Sequence, residues 1–386
     1  MTDILVLAAG WILFGIVFVA VVPTVVITMR RILPRAAGGT SLGPSPTVSV
    51  IVAARNEEPN IETAMSSLLK SDYSSLQIIA VDDRSTDRTG DILDHLADKD
   101  ERLSVVHIEH LPDDWLGKNH AMHKATEVAQ GEFLLFTDGD VEFDPIALRS
   151  AMEYVQRNEI DHLCVFPVMN PGSFVENSLV AFFSLCFCVG LQSWLIPTSF
   201  QFAYAGVGAF NLVRRSSYDD VGGHTTLKFD VLDDVKLGKL LKRHGAKQAL
   251  LRADGLVSVR WQPSAWGVIT GLEKNGFAAL NYSITRLAMT TLVYFVGFLA
   301  PYAVLVVFPD LRSSGFLASI LTFHLMYAVL GHCLGAGMAV FFVFPLASMG
   351  MAFAFWRSSW ITLRQGGVRW RDTFYPLAVL RDRMAP

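Results

Sequence analysis

Phe133-Leu-Leu-Phe-Thr-Asp-Gly-Asp140 runs from four apolar residues into an acidic triplet. Such a run reads as a buried parallel strand, and in open α/β sheets ligands bind at the carboxyl edge where such strands end. Asp138 and Asp140 flank Gly139, so two carboxylates approach one hard cation while the glycine tolerates unusual dihedrals and close backbone contact. Taken alone, Asp-x-Asp also fits a solvated turn. The rest of the chain decides between the two.

Upstream, Val48-Ser-Val-Ile-Val-Ala-Ala54 is a second near-continuous apolar run, ended by Arg55-Asn56-Glu57-Glu58, which opens a helix to about Lys70. Another strand, Leu76 to Val81, stops at Asp82-Asp83, and Ser85-Thr-Asp87 offers capping side chains to the next helix. Leu103 to Ile108 is a third strand, followed by a loop to Gly117 and a helix from Lys118 to about Ala129. Asp144-Pro145 starts a further helix. Strand and helix thus alternate four times over about 100 residues, the pattern of a doubly wound parallel sheet. Acidic residues close two of its strands, after Val81 and after Phe136.

The second half is less regular. Leu163 to Val168 reads as a strand, and Ala205-Gly-Val-Gly-Ala-Phe210 as a glycine-spaced strand or loop open to close approach. Asp233-Asp234 opens a helix over Val235 to His244, and Trp266 to Leu280 reads as an amphipathic helix.

The 386 residues are 52% hydrophobic with a net charge of −4, and the apolar residues are unevenly spread. Ile4 to Met29 holds no charge and exceeds the roughly 20 residues that cross a bilayer. Its arginines come after it rather than before it, which describes a retained anchor and not a cleaved leader. Arg30, Arg31 and Arg35 place the domain after the anchor in the cytoplasm. Leu287 to Phe308 is a further span, and residues 314–356 have room for two more. The map is an anchor over 1–29, a linker over 30–46, a cytoplasmic domain over 47–284, two or three membrane helices over 285–356 and a basic tail over 357–386. Within it, Phe174 to Phe202 is apolar enough to be core, a span or a helix in the membrane interface, and the interface is the preferred reading. The tail arginines also suggest a cytoplasmic end, which conflicts with an odd number of crossings after the domain. A re-entrant segment, a crossing by 174–202 or failure of the charge rule each resolves it.

Four cysteines without a Cys-x-x-Cys pair point to free thiols, and the ten histidines suggest no metal cluster. No nucleic-acid partner is expected. A nucleotide diphosphate suits the strand-end acids instead. Asp138 and Asp140 are fitting ligands for a divalent cation that neutralises it. Lys118 opens a helix, so its ammonium and the helix N-terminus both meet phosphate. Asp83 suits a base or ribose, and Asp234 suits proton removal from an acceptor hydroxyl. From spacing alone, ordinary N-terminal helix charge is the preferred reading of Asp233-Asp234.

Val48-Ser-Val-Ile-Val-Ala-Ala-Arg-Asn-Glu57, Val81-Asp-Asp-Arg-Ser-Thr-Asp87, Trp115-Leu-Gly-Lys118, Phe136-Thr-Asp-Gly-Asp140 and Asp233-Asp-Val-Lys-Leu237 come in the order seen in family-2 glycosyltransferases. Residues 46–280 resemble the GT-A fold of that family, a Rossmann-like α/β domain. With its flanking apolar segments the chain is most similar to membrane enzymes that glycosylate lipids, such as ceramide glucosyltransferases and carotenoid or hopanoid glycosyltransferases. The resemblance implies a UDP-sugar donor, a lipid acceptor and Mn2+ or Mg2+. It implies a uridine pocket of Ala54, Arg55, Glu57 and Asp83, metal and donor held by Asp138 and Asp140, and Lys118 on the diphosphate. Asp234 would be the general base of an inverting displacement, with Asp233 the first acid of the pair, shorter than the family's glutamate. Arg260 and Trp261 match a further family motif, but Val257 stands where glutamine or arginine is usual. That departure favours a single transfer over the alternative of a processive polysaccharide synthase. A non-catalytic nucleotide-sugar-binding membrane protein is the remaining alternative.

Overall fold

A computed structural model describes residues 2–36, 45–170 and 172–385; residues 37–44 of the expected linker lie outside the described residues. Helix α1 (Thr2–Arg30) comes first, uncharged between Asp3 and Arg30. There follow β1 (Val48–Ala54), α2 (Ile61–Leu69), β2 (Leu76–Asp83), α3 (Thr89–Ala97), β3 (Leu103–Ile108), α4 (Gly117–Val128) and β4 (Phe133–Asp138). These four strands pair in parallel in the order β3-β2-β1-β4, as the alternation predicts. Ile51, Ile79 and Leu134 are fully buried, because crossover helices cover both faces of a parallel sheet. Helix α2 turns Ile61, Ala64, Met65 and Leu68 inward at the three- and four-residue spacing of one helix face.

The second half continues with β5 (Val141–Phe143), α5 (Ala147–Asn158), β6 (His162–Phe166), β7 (Val168–Met169), α6 (Phe174–Gly190) and β8 (Asn211–Arg214). Short helices α7 (Arg215–Asp220) and α8 (Gly223–Thr226) lead to α9 (Asp233–Arg243), β9 (Gln248–Arg252) and β10 (Val257–Val259). The seven-stranded sheet is completed as β4-β8-β6-β9. Strand β8 runs antiparallel to both β4 and β6, so the whole sheet is mixed rather than parallel. Its four residues are too few for periodicity to reveal, and an antiparallel neighbour needs no helical crossover to announce it. Strand β10 joins β5 and β7 in a small second sheet.

Beyond it lie α10 (Ala265–Gly271), α11 (Asn275–Ala279), α12 (Ile284–Tyr294) and α13 (Ala300–Val307), the last two joined by a π turn. They are followed by α14 (Ser314–Cys333), α15 (Phe344–Gln365), the hairpin β11 (Gly367–Trp370) and β12 (Thr373–Pro376), and α16 (Leu377–Arg383). The single amphipathic helix expected over Trp266–Leu280 is broken in two. Ser358 Oγ donates to Glu273 O at 2.6 Å and accepts from Phe277 N–H at 2.9 Å, so a side chain from α15 takes up backbone groups at the break. Among the described residues four helices are long and apolar enough to cross a membrane: Asp3–Arg30, Ile284–Val307, Leu311–Cys333 and Met338–Gln365.

The chain divides into two compact units. One, the sheet unit, gathers Arg31–Asn170, Leu195–Arg260 and Asp382–Pro386; the other gathers Met1–Arg30, Pro171–Trp194 and Trp261–Arg381. In the sheet unit, Ile51, Phe136, Val213 and Leu237 share one buried cluster, where truncation to alanine costs about 2–5 kcal/mol per side chain. In the helical unit, Phe298, Phe323 and Phe344 stack with centroids 4.5–5.8 Å apart, and Phe182 of α6 meets Phe344 at a tilt with centroids 5.5 Å apart. Of the segment Phe174 to Phe202 read as an interface helix, α6 packs among the apolar helices, whereas the residues from Leu195 on belong to the sheet unit.

Candidate active site

Register brings the acids to one edge. Ala53 pairs with Val81 on one side and with Asp138 on the other, so β1, β2 and β4 finish together at their carboxyl ends. The strand order reverses between β1 and β4, the position at which open α/β sheets bind ligands. Neighbouring residues of a strand point to opposite faces, which separates Asp82 from Asp83. Asp82 accepts from the imidazole of His107 at 3.2 Å, away from the other acids. Asp83, only 4% exposed, is gripped by Arg84 through two bonds of 2.7 and 2.9 Å, and a Cβ on Gly117 would lie 2.7 Å from its oxygen. Asp83 thus lies under the start of α4, one residue from Lys118.

The loops after β1 and β2 are laced together. Asn56 N–H donates to Ser85 Oγ (3.0 Å), Thr86 N–H to Asn56 Oδ1 (2.8 Å) and Glu57 N–H to Thr89 Oγ1 (2.8 Å). Asn56 and Arg84 both hold positive φ, 53° and 57°, where a side chain is strained and where functional edges often store that strain. Ala54 and Glu57 border Gly139, each within 3.6 Å of the Cβ that glycine lacks. Arg55 and Glu57 are half-buried in the same loop.

Lys118 is the hub. Its Nζ lies 2.8 Å from Asp138 Oδ1 and 3.7 Å from Asp233 Oδ1. Burial alone lowers the pKa of the ammonium, but the carboxylates of Asp138, Asp233 and Asp234 outweigh it and raise the pKa. Burial, then the charges of Asp138 and Glu57, push the Asp140 carboxyl up to about 7. Burial, then Asp233, push Asp234 up to about 6 against the pull of Lys118. Asp234, in the first turn of α9, also accepts from the neighbouring Val235 N–H at 2.8 Å. Asp138, Asp140, Asp233 and Asp234 against one hub lysine leave an excess of negative charge at this edge.

Gly208 closes over the cluster. A Cβ there would lie 2.9 Å from Asp138 Oδ2, 3.4 Å from Asp234 Oδ2 and 3.7 Å from Lys118 Nζ. At Gly206 it would lie 2.1 Å from the carbonyl oxygen of Asp234, so the loop runs flush against the start of α9. The glycine spacing signals close approach, but not that Asp138 and Asp234 are what is approached. Sequence reasoning missed His224, 2% exposed, whose Nε2 is 3.9 Å from Asp233 Oδ2 and whose Nδ1 bonds Tyr218 Oη at 2.8 Å. Nothing in its local sequence distinguishes it. It also missed Arg84 as partner of Asp83.

Arg260 and Trp261 differ. Arg260 directly follows Val259, whose ladder partner Val141 directly follows Asp140, so the small sheet carries Arg260 to the end of the acidic triplet. Trp261 belongs to the helical unit, where its ring lies 4.5 Å from that of Phe183. Its ring partner is aromatic and not one of the acids. Among the described residues no group of three or more His, Cys, Asp or Glu is arranged to hold a metal ion alone. The two hard carboxylates of Asp138 and Asp140 suit a divalent cation that takes its remaining ligands from phosphate and water.

Comparison with known proteins identifies the family and the fold. Residues 49–235 match the family described as Glycosyl transferase family 2. The 4,4'-diaponeurosporenoate glycosyltransferase of Staphylococcus haemolyticus is 23% identical over 259 residues, 67% of this chain and 68% of that protein. The beta-monoglucosyldiacylglycerol synthase of Synechocystis sp. is 28% identical over 251 residues, 62% of this chain and 50% of that protein, so the match spans half of its length. Among solved structures, the mannosyltransferase PcManGT from Pyrobaculum calidifontis, in complex with GDP-Man and Mn2+, aligns over 92% of this chain and 98% of its own with a TM-score of 0.54. At 17% identity that likeness is one of fold. The chain therefore carries a family 2 glycosyltransferase domain on a GT-A fold.

Proposed function

We propose that this chain is an inverting transferase that moves one sugar from a UDP-sugar to a lipid hydroxyl at the cytoplasmic face of a membrane. The carrying observation is Lys118, set between Asp138 and Asp233 at the carboxyl edge of the sheet. One lysine facing clustered carboxylates suits a diphosphate accompanied by a divalent cation, because the anion alone would be repelled by the excess acid. Asp138 and Asp140 would hold that cation, which when bound neutralises the charge growing on the departing diphosphate. Lys118 then meets phosphate oxygen, and Ala54, Arg55, Glu57 and Asp83 line the nucleoside side. Arg260 joins the diphosphate from the strand end beside Asp140.

Asp234 takes the proton of the acceptor hydroxyl as its oxygen bonds to the anomeric carbon. The bond from that carbon to the diphosphate breaks, and UDP leaves with the electron pair. A pKa raised to about 6 keeps Asp234 ionised at neutral pH yet basic enough to help. Asp233, held by Lys118 and His224, positions the pair. A lipid acceptor is supported by four helices, among the described residues, apolar enough to span a bilayer, and by relatives named 4,4'-diaponeurosporenoate glycosyltransferase and beta-monoglucosyldiacylglycerol synthase. Val257, in place of an amide or guanidinium, favours a single transfer.

The test is purified chain with Mn2+, labelled UDP-sugars and total membrane lipid, beside mass spectrometry of lipids from cells with and without it. Label in the lipid phase and a lipid heavier by one hexose or N-acetylhexosamine are expected. If Asp140→Ala and Asp234→Ala both transfer at the wild-type rate, the site is wrong.

A further inference from the structure

We propose that residues 382–385 fold back onto the sheet unit as a latch that positions the acid pair, and that only two of the three apolar helices preceding them cross the membrane. The kinetic part of this proposal rests on the transferase reading; the structural part does not.

The segment entering α9 is a brace between the two halves of the site. Asn119, next to Lys118, donates its side-chain amide to the carbonyls of Leu227 and Asp230, the latter at 2.9 Å. Leu116 N–H donates to Lys228 O at 2.8 Å. These bonds tie the start of α4, with Lys118, to the residues just ahead of Asp233 and Asp234. From the other side the brace is held by Ala385. Its N–H donates to Asp230 Oδ2 at 2.9 Å, and its carbonyl accepts from Lys236 Nζ at 3.0 Å. Lys236 Nζ also lies 3.6 Å from Asp230 Oδ1. Asp230 is 2% exposed and Ala385 7%, while the Arg383 guanidinium covers the ring of Phe229 at 5.1 Å. A carboxylate buried this far needs its donors, and one of them comes from the returning chain. Without it, Asp230 turns toward water and releases the turn that aims Asp233 and Asp234.

The latch constrains the path through the membrane. Residues 382–385 belong to the same unit as β1–β4, so the chain between Trp261 and Arg381 crosses an even number of times. Helix α6 does not alter the count, since β8 after it lies between β4 and β6 before it, in one sheet. Of the three long apolar helices after Arg260, α15 is the one that does not cross. Arg312 meets Asp3 at 2.7 Å and Gly315 meets Gly10, so α14 starts beside the start of α1 and runs the same way. Helices α12 and α13 therefore lead outward and α14 leads back. Phe344, at the start of α15, packs on Phe298, Phe323 and Tyr327, midway along those helices. His324 Nδ1 donates to Phe341 O at 2.6 Å, at the same depth. Toward its other end, Ser358 bonds Glu273 and Phe277, which precede α12. Residues 338–365 thus rise to mid-depth and return to the side from which α12 set out, a re-entrant path whose turn rests on Phe323, His324 and Tyr327 of α14.

Three measurements on the full chain decide the matter. In sealed, oriented vesicles an impermeant maleimide should label Asp382→Cys and Glu101→Cys from one face and Leu311→Cys from the other. Labelling of Asp382→Cys with Leu311→Cys overturns the proposal. In nanodiscs, Ala385→Pro removes the donated N–H, and Asp230→Asn weakens the acceptor without changing its shape. Each should speed hydrogen exchange of residues 227–237 at least about tenfold while leaving β1–β4 protected. If Ala385→Pro loosens the whole sheet, Asp230→Asn carries the test. Local exchange unchanged in Asp230→Asn overturns the latch. In turnover, both variants should lose about tenfold or more in kcat with the donor KM within about twofold, because Lys118, Asp138 and Asp140 are untouched. Unchanged kcat overturns the positioning role. A wild-type chain that passes the labelling and exchange tests yet transfers nothing refutes the transferase and leaves the latch standing.

Discussion

Lys118 Nζ and Asp138 Oδ1 are 2.8 Å apart, an ion pair joining the first turn of α4 to the last residue of β4. The pair couples two jobs. Under the proposed mechanism Asp138 turns to a cation and Lys118 to phosphate, so donor binding exchanges one charge partner for another at both ends. Lys118→Met should weaken UDP-sugar binding by about 10–100-fold, the worth of one charge-assisted contact or two, as read by calorimetry. It also strands Asp138 and Asp233, so its thermal midpoint at pH 7.5 should fall below wild type.

Asp234 supplies a pH signature. With its carboxyl raised to about 6, it is protonated and unable to accept a proton below that pH. The turnover rate under saturating donor should climb about tenfold per pH unit up to pH 6 and then level off. An ascending limb that survives in Asp234→Asn assigns the base elsewhere.

The same shift carries a stability prediction of opposite sense. A carboxyl whose folded pKa lies above its ordinary value costs stability once pH rises past that ordinary value, and the full cost stands above about 6. Asp234→Asn should therefore abolish transfer yet raise the thermal midpoint at pH 7.5 by about 2–4 °C, after discounting for partial exposure. At pH 4 the gain should vanish. A lowered midpoint at pH 7.5 means the carboxylate stabilises the first turn of α9 by more than its burial costs.

Asp140 separates metal from fold. Asp140→Ala removes one of two adjacent carboxylates without touching the Lys118 pair, so Mn2+-dependent donor binding should drop about 100-fold while metal-free UDP binding changes little. Equal losses with and without metal count against Asp140 as a ligand.

Gly206 and Gly208 should behave differently despite their spacing. Alanine at Gly206 meets backbone at 2.1 Å and should destabilise the sheet unit by about 1–3 kcal/mol. Alanine at Gly208 meets the end of the Asp138 side chain at 2.9 Å, which can swing aside. That variant should keep its thermal midpoint and lose donor affinity, a contrast that calorimetry and a thermal melt resolve together.

Much of this molecule was legible in its residues. The apolar runs at Val48–Ala54, Leu76–Val81 and Phe133–Phe136 declare buried parallel strands, because only such strands are apolar on both faces, while Leu103–Ile108, with Ser104 and His107 exposed, is the edge strand. Asp138 and Lys118 are legible as site candidates, since each closes or opens an element at the strand edge. Tertiary structure alone supplied the antiparallel β8, the grip of Arg84 on Asp83, and the pairing of His224 with Asp233, contacts that no local spacing encodes. It alone brought Ala385 onto Asp230 and set Phe344 of α15 against Phe298 and Phe323. Periodicity reports which face of an element is buried; which distant residue buries it is decided by packing.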